Sequence, residues 1–199
     1  MSGSPDKTKW KIAEALKSLL RKKSLSKITV QEIIECADVA RPTFYRHFRD
    51  KYDLVNWYFQ KLCDRSFFLM GKSLTLREAL TQKFAFLKSE QDFFTQAFRS
   101  EAQNSLVEYD YQCIHAFYSD YIRRALNGEM DGKLSFVLEM YCRGSIDMTV
   151  RWARDGMKQD PEEIVDGLIL ALPPVLSNQF EKLQKKSDNV TIDVKMMQM

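Results

Sequence analysis

Apolar residues recur at three- and four-residue spacing along nearly the whole chain, and no segment alternates in the two-residue rhythm of a strand. The pattern predicts an all-α protein. A first helix is expected over about Asp6–Lys22, with Ile12, Leu16, Leu19 and Leu20 on one stripe. Its basic end, Arg21, Lys22 and Lys23, suits the negative pole of a helix dipole. A second helix starts at Thr29, where Glu32 completes a capping box and Ile28 and Ile33 flank it as a hydrophobic staple. Ile33, Ile34 and Ala37 then face inward. A third, short helix opens at Arg41 or Pro42. Proline fits a first turn because its φ is already helical and its missing N–H would be unpaired there anyway. Phe44 and Phe48, four residues apart, anchor that helix and turn Arg41, Thr43, Tyr45, Arg46 and His47 outward. Asp50 caps a fourth helix expected to run to about Met70 on the stripe Leu54, Tyr58, Leu62.

The remainder reads as further amphipathic helices. Thr75 with Glu78 repeats the capping box, and Ser89 with Asp92 is a weaker version. Long helices are expected over about Glu101–Leu126, stopped by Asn127-Gly128, and Leu134–Arg154, stopped by Asp155-Gly156. Asp160-Pro161-Glu162-Glu163 starts the last long helix, which Pro173-Pro174 must kink or break. The tail beyond Gln184 is polar. The expected organisation is a small helical head over residues 1–52, a larger helical body over 53–184, and a flexible tail over 185–199.

Charge sharpens this division. Residues 1–63 hold 13 Lys/Arg against 7 Asp/Glu, and the remainder holds 17 against 20. A basic first third on a mildly acidic body suits phosphate binding at one end. The four cysteines, Cys36, Cys63, Cys113 and Cys142, form no C-x-x-C pair, and each sits in an apolar helical context as a small buried hydrophobe. With only His47 and His115 as histidines, no metal site and no cofactor is expected. Neither G-x-S-x-G, H-E-x-x-H nor a glycine-rich phosphate loop occurs, which argues against an enzyme. No stretch is apolar enough to span a bilayer, so a cytoplasmic protein without a membrane partner is expected.

Two short helices joined by a tight turn, the second mixing cations, hydroxyls and aromatics, have the build of a helix-turn-helix. The string TVQEIIECADVARPTFYRHFRDKYDL resembles the DNA-binding head of TetR-type bacterial transcription regulators, whose usual pattern is A-G-V-S-[KR]-G-T-[FL]-Y-x-H-F-x-[SD]-K. Ala37, Val39, Arg41, Thr43, Phe44, Tyr45, His47, Phe48, Asp50 and Lys51 fit it. The segments DFFTQAF and WARDGMKQDPEEI resemble the subgroup that includes regulators of dihydroxyacetone kinase operons. Three positions depart from the pattern: Asp38 stands for the turn glycine, Ala40 for the serine cap, and Pro42 for a glycine beside DNA.

The resemblance implies a homodimer that binds a pseudo-palindromic double-stranded operator, acting as a repressor that responds to a small effector. It implies base-edge contact by Arg41 and Thr43 and phosphate contact by Tyr45, His47 and Lys51. Thr29 is a further phosphate candidate, Pro42 shapes the approach to DNA, and Arg46 adds positive charge. An effector pocket is expected among the body's aromatics, with Phe68, Phe98, Tyr109, Phe117 and Tyr141 as candidates. A dimer face is expected on the last two long helices at Gly144, Met148, Ile164, Leu168 and Leu172. The alternative is a TetR-like coactivator or interaction protein whose body binds a partner protein in place of a small molecule.

Overall fold

The computed structural model describes residues 5–100, 102 and 105–181. Among the described residues there are ten α-helices and no named strand. They are α1 (Pro5–Leu20), α2 (Val30–Ala37), α3 (Arg41–His47), α4 (Lys51–Asp64), α5 (Leu76–Ser89), α6 (Gln91–Phe98), α7 (Leu106–Leu126), α8 (Gly132–Arg154), α9 (Pro161–Leu170) and α10 (174–181). The all-α expectation holds.

Where the sequence carries a cap, the helix starts there. The Thr29 hydroxyl accepts from the Glu32 amide while the Glu32 carboxylate accepts from the Thr29 amide, and Thr75 with Glu78 does the same for α5. Asp50, Asp131 and Asp160 cap α4, α8 and α9 through side-chain oxygens. Ser89 instead donates to the Phe86 carbonyl, and the residue preceding α6 makes no side-chain cap.

Two helices end earlier than their periodicity suggests. α4 stops at Asp64, not near Met70, and a 3₁₀ turn at Phe67–Leu69 follows. The buried Ser66 hydroxyl donates back to the Leu62 carbonyl, and Phe67 turns into the body to meet Phe117 and Tyr118 at 5.0 and 5.3 Å. Gly71, at φ +72°, completes the turn; a Cβ there would lie 2.3 Å from the Tyr121 ring. α9 ends at Leu170 because Pro173 and Pro174 cannot continue its hydrogen-bond ladder, and α10 restarts at 174. The helix expected from about Glu101 instead begins at Leu106, after an extended Ser105, and the tail 185–199 lies outside the described residues.

The buried residues form one continuous core from α1 to α10. Its waist is aromatic: Trp10 meets Trp57 and Tyr58, Phe48 meets Trp57, and Tyr58 meets Phe93 and Phe94. Lys17 ties α1 to the α5–α6 corner, donating to Glu90 at 2.9 Å and to the Tyr58 hydroxyl at 3.3 Å. α4 therefore belongs to both parts, and the 52/53 division falls inside it. α7 packs along α8, and α5 packs on α9.

Candidate DNA-binding interface and regulatory body

The turn between α2 and α3 depends on Asp38, which adopts the left-handed conformation at φ 45°, ψ 61°. A short polar side chain tolerates this better than most residues, so aspartate fills the place of the usual glycine. α3 then begins without a side-chain cap, with Ala40 before it and Pro42 in its first turn. What holds so short a helix is burial: Phe44 is 0% exposed and Phe48 is 2% exposed. Burying two such rings contributes roughly 3–6 kcal/mol, enough to fix a helix that could not form alone. Arg41, Pro42, Tyr45 and Arg46 are consequently exposed on the outer face, with Thr43 and His47 half-buried beside them.

Electrostatics distinguishes these positions. Burial, then the neighbouring cations Lys9 and Arg46, holds His47 below its usual range and so favours its neutral form. The Arg41 guanidinium lies over the Tyr45 ring, 5.4 Å from its centroid. Lys51 is placed differently from the expectation of a phosphate ligand. Its ammonium donates to the carbonyls of Leu25, Ser26 and Ile28 at 2.8, 3.1 and 2.7 Å, which uses all three N–H groups. Thr29 is similarly engaged: its hydroxyl accepts from the Glu32 amide and donates to the Glu32 carboxylate. That carboxylate, drawn down to about 2 by Lys23 first and by the Thr29 amide and hydroxyl next, puts negative charge at the start of α2.

In the body, the five candidate pocket residues do not surround one space. Phe68 and Phe117 pack on each other at 5.2 Å, and Phe98 packs against Phe94. Tyr109 donates to Gln60 at 2.7 Å. Tyr141 donates to the Leu168 carbonyl at 3.0 Å and borders a cavity of about 20 Å³, room for a single water. Lys83 borders the same cavity, and sequence reasoning overlooked it. Its ammonium donates to Asp110 at 2.8 Å, with side-chain exposures of 4% and 0%, and lies over the rings of Phe59 and Phe67. Burial is the largest single influence and works against its charge, but the Asp110 carboxylate, as neighbouring charge and hydrogen-bond acceptor, leads the opposing influences and the balance raises its pKa. The signal was visible: Lys83 interrupts the apolar stripe Leu76, Leu80, Phe84, Leu87, and Asp110 falls between Leu106 and Ile114 on another.

Four of the five candidate dimer residues do come together. Gly144, Met148, Ile164 and Leu168 line an apolar groove of about 540 Å³ between α8 and α9, while Leu172 packs half-buried on the core. Phe136, Met140, Met148 and Leu170 are exposed along these helices. Cys63 and Cys142 are buried as expected, but Cys36 is exposed, because the buried face of α2 is formed by Ile33, Ile34 and Ala37. No helix among the described residues is long and apolar enough to cross a membrane.

Residues 12–57 match the model of bacterial regulatory proteins of the tetR family, and residues 75–172 match that of a transcriptional regulator C-terminal region. The chain belongs to the TetR family. It is therefore a DNA-binding transcription regulator and not an enzyme. A curated relative is the HTH-type dhaKLM operon transcriptional activator DhaS of Lactococcus lactis subsp. lactis, 35% identical over 49 residues. That match spans 25% of this chain and 26% of the relative, about a quarter of its length. Among solved TetR-like structures, the dihydroxyacetone kinase operon activator DhaS superposes with a TM-score of 0.61 at 18% identity, covering 87% of this chain and 96% of that one. A TetR transcriptional regulator from Streptococcus agalactiae gives 0.62 at 24% identity, covering 84% and 94%. The Thermus thermophilus repressor FadR, solved with lauroyl-CoA, gives 0.53 at 18% identity, covering 82% and 92%. At these identities the superpositions establish the TetR fold.

Proposed function

We propose that this TetR-family chain is a homodimeric, sequence-specific repressor that reads a pseudo-palindromic operator and responds to a small effector. One observation carries the DNA-reading part: two buried phenylalanines hold α3 so that Arg41, Pro42, Tyr45 and Arg46 stand exposed together beyond the left-handed turn at Asp38. Arg41 and Thr43 reach base edges, Tyr45 and His47 hold phosphates, and Arg46 adds general attraction. Residues 1–52 act as the head and 53–184 as the body, with α4 running continuously across the division. The α8–α9 groove supports the dimer, since an isologous apolar face is the ordinary way for helical bundles to pair two-fold. Two heads are needed because one reads too few base pairs for useful specificity.

A second reading is a coactivator whose body binds a partner protein. It is favoured by the closed interior, where the space bordered by Tyr141 and Lys83 is only about 20 Å³. The relative named as the dhaKLM operon activator lends it further support.

Selection of bound duplexes from a random pool, with the full chain at near-physiological salt, tests the DNA reading. Enrichment of one two-fold sequence, lost in Arg41→Ala, is the expected result. Weak, salt-sensitive binding without enrichment refutes it. Adding small metabolites to the bound operator then separates the two modes of control: release supports the effector reading, and a stoichiometric protein partner from the native host supports the other.

A further inference from the structure

We infer that Tyr45 is a positioning residue for Arg41, whose ring sets the guanidinium to read one guanine in each operator half-site; the inference rests on the DNA-reading function proposed above. The two residues are one helical turn apart on the exposed face of α3, so their side chains are neighbours. The Arg41 guanidinium carbon lies 5.4 Å from the Tyr45 ring centroid. The ring itself is braced from below. It meets Phe44 edge-on, at 5.4 Å and 82°, and Phe44 is 0% exposed. A fixed core residue thus supports a half-exposed ring, and the ring supports a long, otherwise flexible cation.

Among the described residues, no other ring or carboxylate on the head holds Arg41. Lys11 pairs with Asp38, Lys23 with Glu32 and Arg49 with Asp53, but among the described residues no carboxylate pairs with Arg41. Nor does the helix start offer a side-chain cap. The chemistry favours a cation–ring contact over an ion pair. A carboxylate would occupy the N–H edge of the guanidinium, the same edge that must donate to guanine O6 and N7. A ring attracts the cation without accepting the hydrogen bonds that a carboxylate would, and so leaves those donors available. Holding that edge ready reduces the rotamer freedom lost on binding, so the gain falls on the base that accepts two parallel bonds.

This assigns two separable tasks to Tyr45. Its hydroxyl is available to a phosphate, which sets affinity without sequence information. Its ring acts through Arg41 and sets base preference. Tyr45→Phe removes only the first, and Tyr45→Ala removes both. Tyr45→Leu serves as a second ring-free variant should the alanine variant fail to fold, which thermal melting of each protein checks.

The experiment is operator selection followed by affinity measurement on single-base variants of the enriched site, using full-length protein. Wild type and Tyr45→Phe are expected to share one preference profile. Tyr45→Ala should lose discrimination at the half-site position that Arg41→Ala also flattens, by roughly two- to thirty-fold, the range from exposed to desolvated cation–π contacts. The double variant should lose no more at that position than Arg41→Ala alone. Full guanine preference in both ring-free variants overturns the inference while leaving the operator reading intact. So does an Arg41→Ala profile unchanged at every position. No enriched sequence with wild type defeats the DNA-reading proposal itself, and this inference with it.

Discussion

Replacing Lys83 with methionine should destabilise the protein by about 3–5 kcal/mol, the range for breaking a buried pair by deleting one partner. The structure places this variant in that range for three reasons. The side chains of Lys83 and Asp110 are 4% and 0% exposed, so solvent cannot enter to replace the lost partner. Only one Asp110 oxygen is bonded, to Lys83 at 2.8 Å, and the other has no partner among the described residues. Methionine also fits the lysine's course past Phe59 and Phe67, so little of the loss comes from packing. Lys83→Met with Asp110→Leu should recover most of the deficit, because a hydrophobic replacement of similar volume needs no desolvation of charge. Urea unfolding of the four proteins at one fixed concentration measures the cycle. pH supplies an independent check. Burial pushes the Asp110 carboxyl up, and without Lys83 nothing opposes that push. The folded single variant then binds a proton more readily than the unfolded chain does, so its deficit should narrow as pH falls from neutrality toward the unfolded carboxyl range. A cost below about 1 kcal/mol for Lys83→Met, against the 3–5 kcal/mol of a buried pair, would refute the reasoning. So would a double variant as unstable as the sum of the singles.

Lys51→Met removes three hydrogen bonds from a charged donor and should lower the stability of the head by at least about 1.5–3 kcal/mol, the figure for one such bond. The slope of operator affinity against salt should stay unchanged, whereas loss of a phosphate ligand would reduce it by about one. Met148→Glu places a carboxylate on the apolar α8–α9 groove and should shift sedimentation toward monomer and weaken operator binding with it; an unchanged dimer would locate the interface elsewhere. His47 is held below its usual range by burial and by Lys9 and Arg46, and an approaching phosphate favours its charged form. Operator affinity should therefore rise as pH falls below neutrality toward the depressed range of the free protein's His47, and His47→Gln should remove that rise.

The sequence by itself determined the helices and most of their starts. Thr29 with Glu32, Thr75 with Glu78, Asp50 and Asp160 act on amides within three residues, so the signal and its effect lie in one short stretch. The left-handed turns at Asp38 and Asn127 are equally local. Phe44 and Phe48 were legible as anchors because helical spacing alone puts them on one face, and the face they leave outward is the DNA-reading candidate. The tertiary structure decided which side chains are free to act there. Nothing local to Lys51 announces the three carbonyls, 23 to 26 residues distant in sequence, that the fold brings under its ammonium. Lys83 and Asp110, 27 residues apart, are each only a charge on an apolar stripe until α5 and α7 pack. The end of α4 at Asp64 was likewise set by where Phe67 finds its aromatic partners, against a periodicity that would have carried the helix on. A cap or a turn has its partner a few bonds away, whereas a long charged side chain or a core ring takes its partner from whatever the packing of distant helices presents.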